Sequence, residues 1–321
     1  MGVLEQAALA LSRRAFAQSL AGAALAHACR AAETDRPDQL AWSAEGTPKL
    51  NFERRYRADA QVLVFGLPLL HREGVGGGSV VWREFEAGSV TRLLEFTGFS
   101  EPERAAGLNR MGFIREMSRA AGDGVESVYF GLMTASPEGS AEEARKALHS
   151  DAKEQAYSAI EGRVAAGETE TVTAHFTAPA AVARAHRTEL VERARRALAS
   201  AGKASRADCT NSTSESFLQA LARMLMRPDR DEGRYIYSDK VYRMRLARSV
   251  DHKAAAYFRE RQLIAASTDV IRVSGRVRRE TDNKETEFRL WIPGEGERPV
   301  PLRIEYQAKP YLRLTFEAAA H

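Results

Sequence analysis

Seven histidines, one glycine-dense run and a few neighbouring carboxylates are the places where this chain could do chemistry. The histidines are His27, His71, His149, His175, His186, His252 and His321. None forms a close-spaced pair on a helix and no cysteine pair stands near one, so the local spacing of a zinc site is absent. Gly74-Val75-Gly76-Gly77-Gly78 runs into the strand-like Ser79-Val80-Val81-Trp82. A phosphate-cradling loop needs a helix N-terminus there and a closing Lys-Ser/Thr. The run therefore reads as a flexible connection between strands or as a bulge. Ser79 lacks the glycine two residues further on that a nucleophile elbow requires. Glu142-Glu143 and the Asp229, Asp231, Glu232 group fall at a helix start and in a turn, where dipole compensation and solvation explain them. The residues thus predict no catalytic group, no metal and no cofactor. An active site assembled across the fold from His71, Ser79 and His175 is the alternative.

The N-terminus carries a different kind of signal. Ser12-Arg13-Arg14-Ala15-Phe16 is a twin-arginine pattern, followed by a mildly apolar run to Ala28 and a small-x-small site, Ala26-His27-Ala28. That order predicts an export signal over residues 1–28, with Arg13 and Arg14 as its address and a periplasmic or secreted product. The run is too short and alanine-rich to span a bilayer. Cys29 directly after Ala28 opens a lipoprotein alternative, which Ala26 and His27 fit poorly. Cys29 and Cys209 are the only cysteines, and no structural disulfide is expected from them.

The elements that would position any site are mainly strands. From Val241 to Glu317 apolar and polar residues alternate: Tyr242, Met244 and Leu246 against Arg243 and Arg245, then Ile271, Val273 and Val277 against Arg272, Arg276 and Arg278. Phe288, Leu290 and Ile292, then Leu302, Ile304 and Tyr306, then Leu312, Leu314 and Phe316 continue the series. Period-2 patterning predicts strands with one buried face, joined into an antiparallel sheet. Earlier strands are expected from Phe52 to Phe65, Ser79 to Phe85, Val90 to Phe96, Gly107 to Met117 and Glu126 to Met133. Tyr157–Val164 and Thr169–Thr177 form a hairpin around Ala166-Gly167. Helices are predicted at about 137–149 behind the Ser140-x-x-Glu143 capping box, at 179–200, and at 214–226 before Pro228. Residues 29–50, polar and without periodicity, read as a linker. The organisation is then a single β-rich domain over 51–321 with a helical insertion near 178–227. The fold class is α+β, mainly β: a curved antiparallel half-barrel packed around two or three helices.

Composition narrows the function classes. A net charge of +4 across 47 basic and 43 acidic residues, finely interleaved, is a mixed solvated surface rather than a polyanion-binding one. The arginines on the outer strand parity share that face with Glu287, Glu305 and Glu317 and with few aromatics, Trp291 and Tyr311. Cross-strand ion pairs account for that pattern, and no nucleic-acid partner is expected.

Several segments in order resemble the exported domain-of-unknown-function family numbered 3108, whose fold is similar to the lipoprotein carrier LolA. They are Tyr56-Arg57-Ala58 leading to Phe65-Gly66-Leu67-Pro68, Ser216-Phe217-Leu218-Gln219-Ala220-Leu221, Lys240-Val241-Tyr242-Arg243, Phe288-Arg289-Leu290-Trp291 and Pro301-Leu302-Arg303-Ile304-Glu305-Tyr306. The resemblance implies a curved sheet wrapped around helices, a cell-envelope setting and no established catalytic residues. The leading expectation is a non-enzymatic envelope protein with an apolar ligand such as a lipid tail. An exported hydrolase and a structural partner of another envelope protein are the alternatives.

Overall fold

The computed structural model describes residues 48–319, apart from 65–66, 87–89, 106–108, 122–123, 136–153, 166–167, 180–186, 203, 209–214, 283, 295–297 and 310–311. Within these, the alternating segments form one antiparallel sheet of fourteen strands, nearly closed into a barrel, with three helices. Seven strands precede the first helix: β1 (Pro48–Val64), β2 (Leu67–Phe85), β3 (Val90–Ser100), β4 (Met111–Ala121), β5 (Gly124–Thr134), β6 (Glu154–Ala165) and β7 (Glu168–Pro179). Then come α1 (Arg187–Ser200), β8 (Ser205–Asp208), α2 (Phe217–Met226), β9 (Glu232–Tyr237), β10 (Lys240–Val250) and α3 (His252–Glu260). The chain ends with β11 (Val270–Arg279), β12 (Glu285–Pro293), β13 (Arg303–Lys309) and β14 (Leu312–Ala318).

The spatial order is β8-β7-β6-β5-β4-β3-β2-β1-β14-β13-β12-β11-β10-β9. Two meanders are thus joined where the first strand pairs with the last, Ala60 opposite Leu314. Alternation gives the sheet two faces. The concave face carries Trp82, Leu94, Tyr56, Leu314, Leu290, Val273 and Met244, and it receives α2. The other face carries Leu93, Phe113, Phe130 and Ala174, against which α1 buries Leu190, Ala194 and Leu198. Outer arginines pair across strands as the alternation predicts: Arg245 with Glu232, Arg276 with Glu287, Arg289 with Glu305.

The sheet closes by tucking one end under the other. Ser238 and Asp239 both have positive φ (50° and 59°), as a tight turn between right-twisted strands requires. This turn of the β9–β10 hairpin reaches β5, where the Ser238 amide donates to Tyr129 Oη at 3.0 Å. Ile236, on the reverse side of β9, is fully buried among Tyr129, Ile160 and Val164. Gly131 and Gly162 leave room for the Tyr237 and Tyr129 rings, since a Cβ there would stand 2.7 Å from Tyr237 Oη and 2.1 Å from the Tyr129 ring.

Several boundaries differ from the sequence reading. The predicted linker ends earlier than residue 50, because Pro48–Leu50 already pair with Glu84 and Phe85 and Leu50 packs beside Trp82. The glycine run lies inside β2 and connects no strands. It forms a bulge in which one residue of β1 faces three of β2, with Gly74 at φ +58° donating to Asp59 Oδ1. Residues 109–110 precede β4 instead of belonging to it. Pro179 ends a strand and does not open a helix; α1 is helical from Arg187. Helix α2 begins three residues later than predicted, at Phe217 with Ser216 as N-cap. The helix predicted at about 137–149, the signal segment with Arg13 and Arg14, and both cysteines lie outside the described residues.

Candidate functional site

The concave face is where the sequence departs most from a simple core. Helix α2 buries Ala220, Ala222, Met224 and Leu225 into it, yet Phe217, Leu218 and Leu221 stay only half-buried. The same face of the sheet presents further half-buried apolar side chains: Phe96 on β3, Phe316 on β14, Ile304 and Tyr306 on β13, and Phe288 on β12. Phe96 and Phe316 meet edge to face at 5.7 Å. Phe316 lies across Gly78 and Gly98, where added Cβ atoms would stand 3.4 and 3.5 Å from its ring. Two paired glycines on β2 and β3 thus leave a shallow floor on which the Phe316 ring lies. The result is an apolar strip only partly covered by α2. Half-covered apolar surface on a concave face is what a hydrophobic ligand needs.

One end of the strip is polar. Arg54, on the concave side of β1, donates to the carbonyls of Val300 and Pro301 at 2.5 and 3.2 Å. Tyr56 Oη donates to Pro301 O at 2.6 Å, and burial pushes its phenol well above the usual range. Arg92 stacks over Trp82 at 5.5 Å and faces Glu84 at 4.0 Å, which Arg298 also approaches at 3.9 Å. Desolvation lowers the Arg92 guanidinium from its usual value.

How α2 is held matters as much as what it covers. Ser216, the N-cap residue, makes no capping bond with its own side chain. Instead Glu116, projecting from β4 and fully buried, accepts from the Ser216 hydroxyl and from the Gln219 amide at 3.1 Å. Gln219 Nε2 returns a bond to the Glu116 carbonyl at 3.3 Å. A carboxyl from the sheet thereby does the work of an N-cap, satisfying donors at the open end of the helix. Burial pushes the Glu116 carboxyl up to about 7, against the lowering effect of its hydrogen bonds from Ser216, Leu218 and Gln219. Beside it stand Tyr235 and Tyr237, whose phenols burial raises strongly. The Ile236 amide donates to Glu215 O at 2.9 Å, which covers the free edge of β9.

The alternative of a dispersed site at His71, Ser79 and His175 is not brought together by the fold. Ser79 lies on the outer parity of β2, paired with Arg55 and Thr97, whereas His175 is exposed on the opposite parity of β7 from buried Ala174. Five strand-to-strand steps separate β2 from β7, roughly 24 Å along the sheet. His71 is exposed at the far end of β2. Among the described residues no group of three metal-ligating side chains occurs.

Two features escaped sequence reasoning. Glu116 reads as a wet strand position beside Arg115, and nothing local marks it as buried. Helix α3 left a signal that could have found it: Asp251 followed by Ala254, Ala255 and Phe258 at helical spacing. The Asp251 carboxylate caps it by accepting from the Ala254 amide at 3.0 Å, and its second oxygen accepts from Trp291 Nε1 at 3.0 Å. α3 therefore covers part of the face that alternation assigns to solvent, and Trp291 is buried there. Arg303 sits among the rings of Tyr257, Phe258 and Trp291 while pairing with Glu317.

Among the described residues no helix is long and apolar enough to cross a membrane. No family model, no curated protein and no solved structure matches the chain.

Proposed function

We propose that the protein is an exported, non-enzymatic component of the cell envelope that holds the apolar chain of a lipid-like ligand along the concave strip beside α2. The observation that carries the reading is the set of half-buried Phe96, Phe316, Ile304, Phe288, Phe217 and Leu221 converging across a glycine floor. An acyl chain would gain about 0.8 kcal/mol for each methylene it buries there. The polar end with Arg54, Arg92 and Glu84 suits a headgroup that must stay hydrated. Export rests on the Ser12-Arg13-Arg14 pattern and the small-residue site after it.

Titration with a fluorescent naphthylamine probe, followed by displacement with a long-chain fatty acid, tests the binding. Phe316→Gln puts a polar amide in mid-strip and is expected to weaken probe binding about tenfold, a change of ~1.4 kcal/mol. Arg313→Asp, three residues away on the outer face of the same strand, leaves it unchanged. Equal affinity in the wild type and Phe316→Gln argues for a different surface. For export, replacing Arg13 and Arg14 together by Lys is expected to leave the precursor in the cytoplasm, because that route reads the pair as an address. Cell fractionation checks it, and undiminished extracytoplasmic protein means the pair is incidental.

A further inference from the structure

Glu116 stands in a setting that a permanently ionised carboxylate fits badly. It is fully buried, and its Oε2 receives the bonds from Ser216 and Gln219, with the Leu218 amide also turned to the carboxyl, while its Oε1 has no hydrogen-bond partner. The Gln219 side-chain oxygen, in the same cluster, is a second buried acceptor without a partner. Two orphaned acceptors in one dry cluster lack a donor, and a proton on Glu116 supplies one. The neighbouring charges do not offset an anion. Glu215, just before the N-cap of α2, repels it and is itself engaged by Arg223 at 2.7 Å. From β9 the facing groups are Tyr235 and Tyr237, and from β5 the ladder partner Tyr129, all phenols that burial raises and keeps neutral. From β3, Arg92 is directed to Glu84 and Glu215.

We propose that Glu116 is a proton-operated latch: protonated, it fastens the N-terminal end of α2 to β4, and ionised, it lets that end loosen from the concave face. The device needs no ligand and stands apart from the lipid-binding reading, although it would govern how much of the strip α2 covers. The sign follows from the two states. A freed Glu116 has an ordinary carboxyl value of 4.5, and the docked one is raised to about 7. The docked state therefore binds the proton more tightly, and docking is strongest below the ordinary value. It weakens about tenfold per pH unit as pH rises from 4.5 toward 7, then levels off.

Hydrogen–deuterium exchange of the 217–226 amides in the full chain, corrected for intrinsic exchange and followed from pH 4.5 to 8.5, reads this directly. Wild-type protection is expected to fall by tenfold or more between pH 5 and 7 and then flatten. Glu116→Gln, which keeps an acceptor and cannot ionise, is expected to hold a flat profile over the same range. Parallel profiles in the two proteins overturn the latch. Should Glu116→Gln fail to fold, carbon NMR of the wild-type Glu116 carboxyl decides instead. A midpoint between about 6 and 8 supports the latch, and a midpoint outside that range overturns it.

Discussion

Leu314→Asp is expected to destabilise the protein by roughly 3–5 kcal/mol, while Arg313→Asp changes it by about 0–1 kcal/mol. Leu314 is 7% exposed on the concave side of β14, between its partners Ala60 and Tyr306. A carboxylate there has no donor to replace water, so it either remains desolvated or takes up a proton at further cost. Arg313 lies one residue away on the opposite parity, opposite Gln61 and Gln307. Chemical denaturation of the two variants tests the register. Equal losses, or the larger loss in Arg313→Asp, would place the apolar lining on the other face.

Gly76→Ala carries the other large effect. A Cβ at Gly76 would stand 2.0 Å from the Phe99 carbonyl oxygen and 2.9 Å from the Ser100 Cα. Both are backbone atoms of the neighbouring strand, and Gly76 pairs with Ser100 at the end of the bulge. No rotamer change relieves the clash; the strands must separate locally, at a cost of about 3 kcal/mol or more. Gly202→Ala provides the contrast. Gly202 has φ +81° and open space around its Cβ position, so its cost is backbone conformation alone, about 1 kcal/mol. Denaturation midpoints of the two variants compare them, and a Gly76→Ala protein as stable as Gly202→Ala would remove the bulge from the account.

What the chain reveals by itself is what local pattern can encode. Alternation places Met244, Val273, Leu290 and Leu314 on one face because a strand's side chains change sides at every residue, whatever the rest of the fold does. The closure of the sheet is not local. Ile236 sits on the parity that alternation assigns to the outside of β9, and it is buried only because β5 and β6 curl over it with Tyr129 and Ile160. The same holds for Trp291, whose outward position is covered by α3. Glu116 is the extreme case. It reaches its hydrogen-bond partner Ser216 a hundred residues later in the chain, and no window of sequence brings the two together. The half-covered strip was legible in part: its apolar residues follow the alternation, whereas the glycine floor at Gly78 and Gly98 appears only when the strands lie side by side under Phe316.

The most direct test of the concave strip as a lipid-binding surface is lipid extraction and mass spectrometry of the protein purified from its native host without detergent. The account predicts a reproducible acyl-bearing species at near-equimolar amount in the wild type, reduced in the Phe316→Gln protein purified the same way. Wild-type protein that is repeatedly empty, or that carries the same species in undiminished amount after Phe316→Gln, would contradict it.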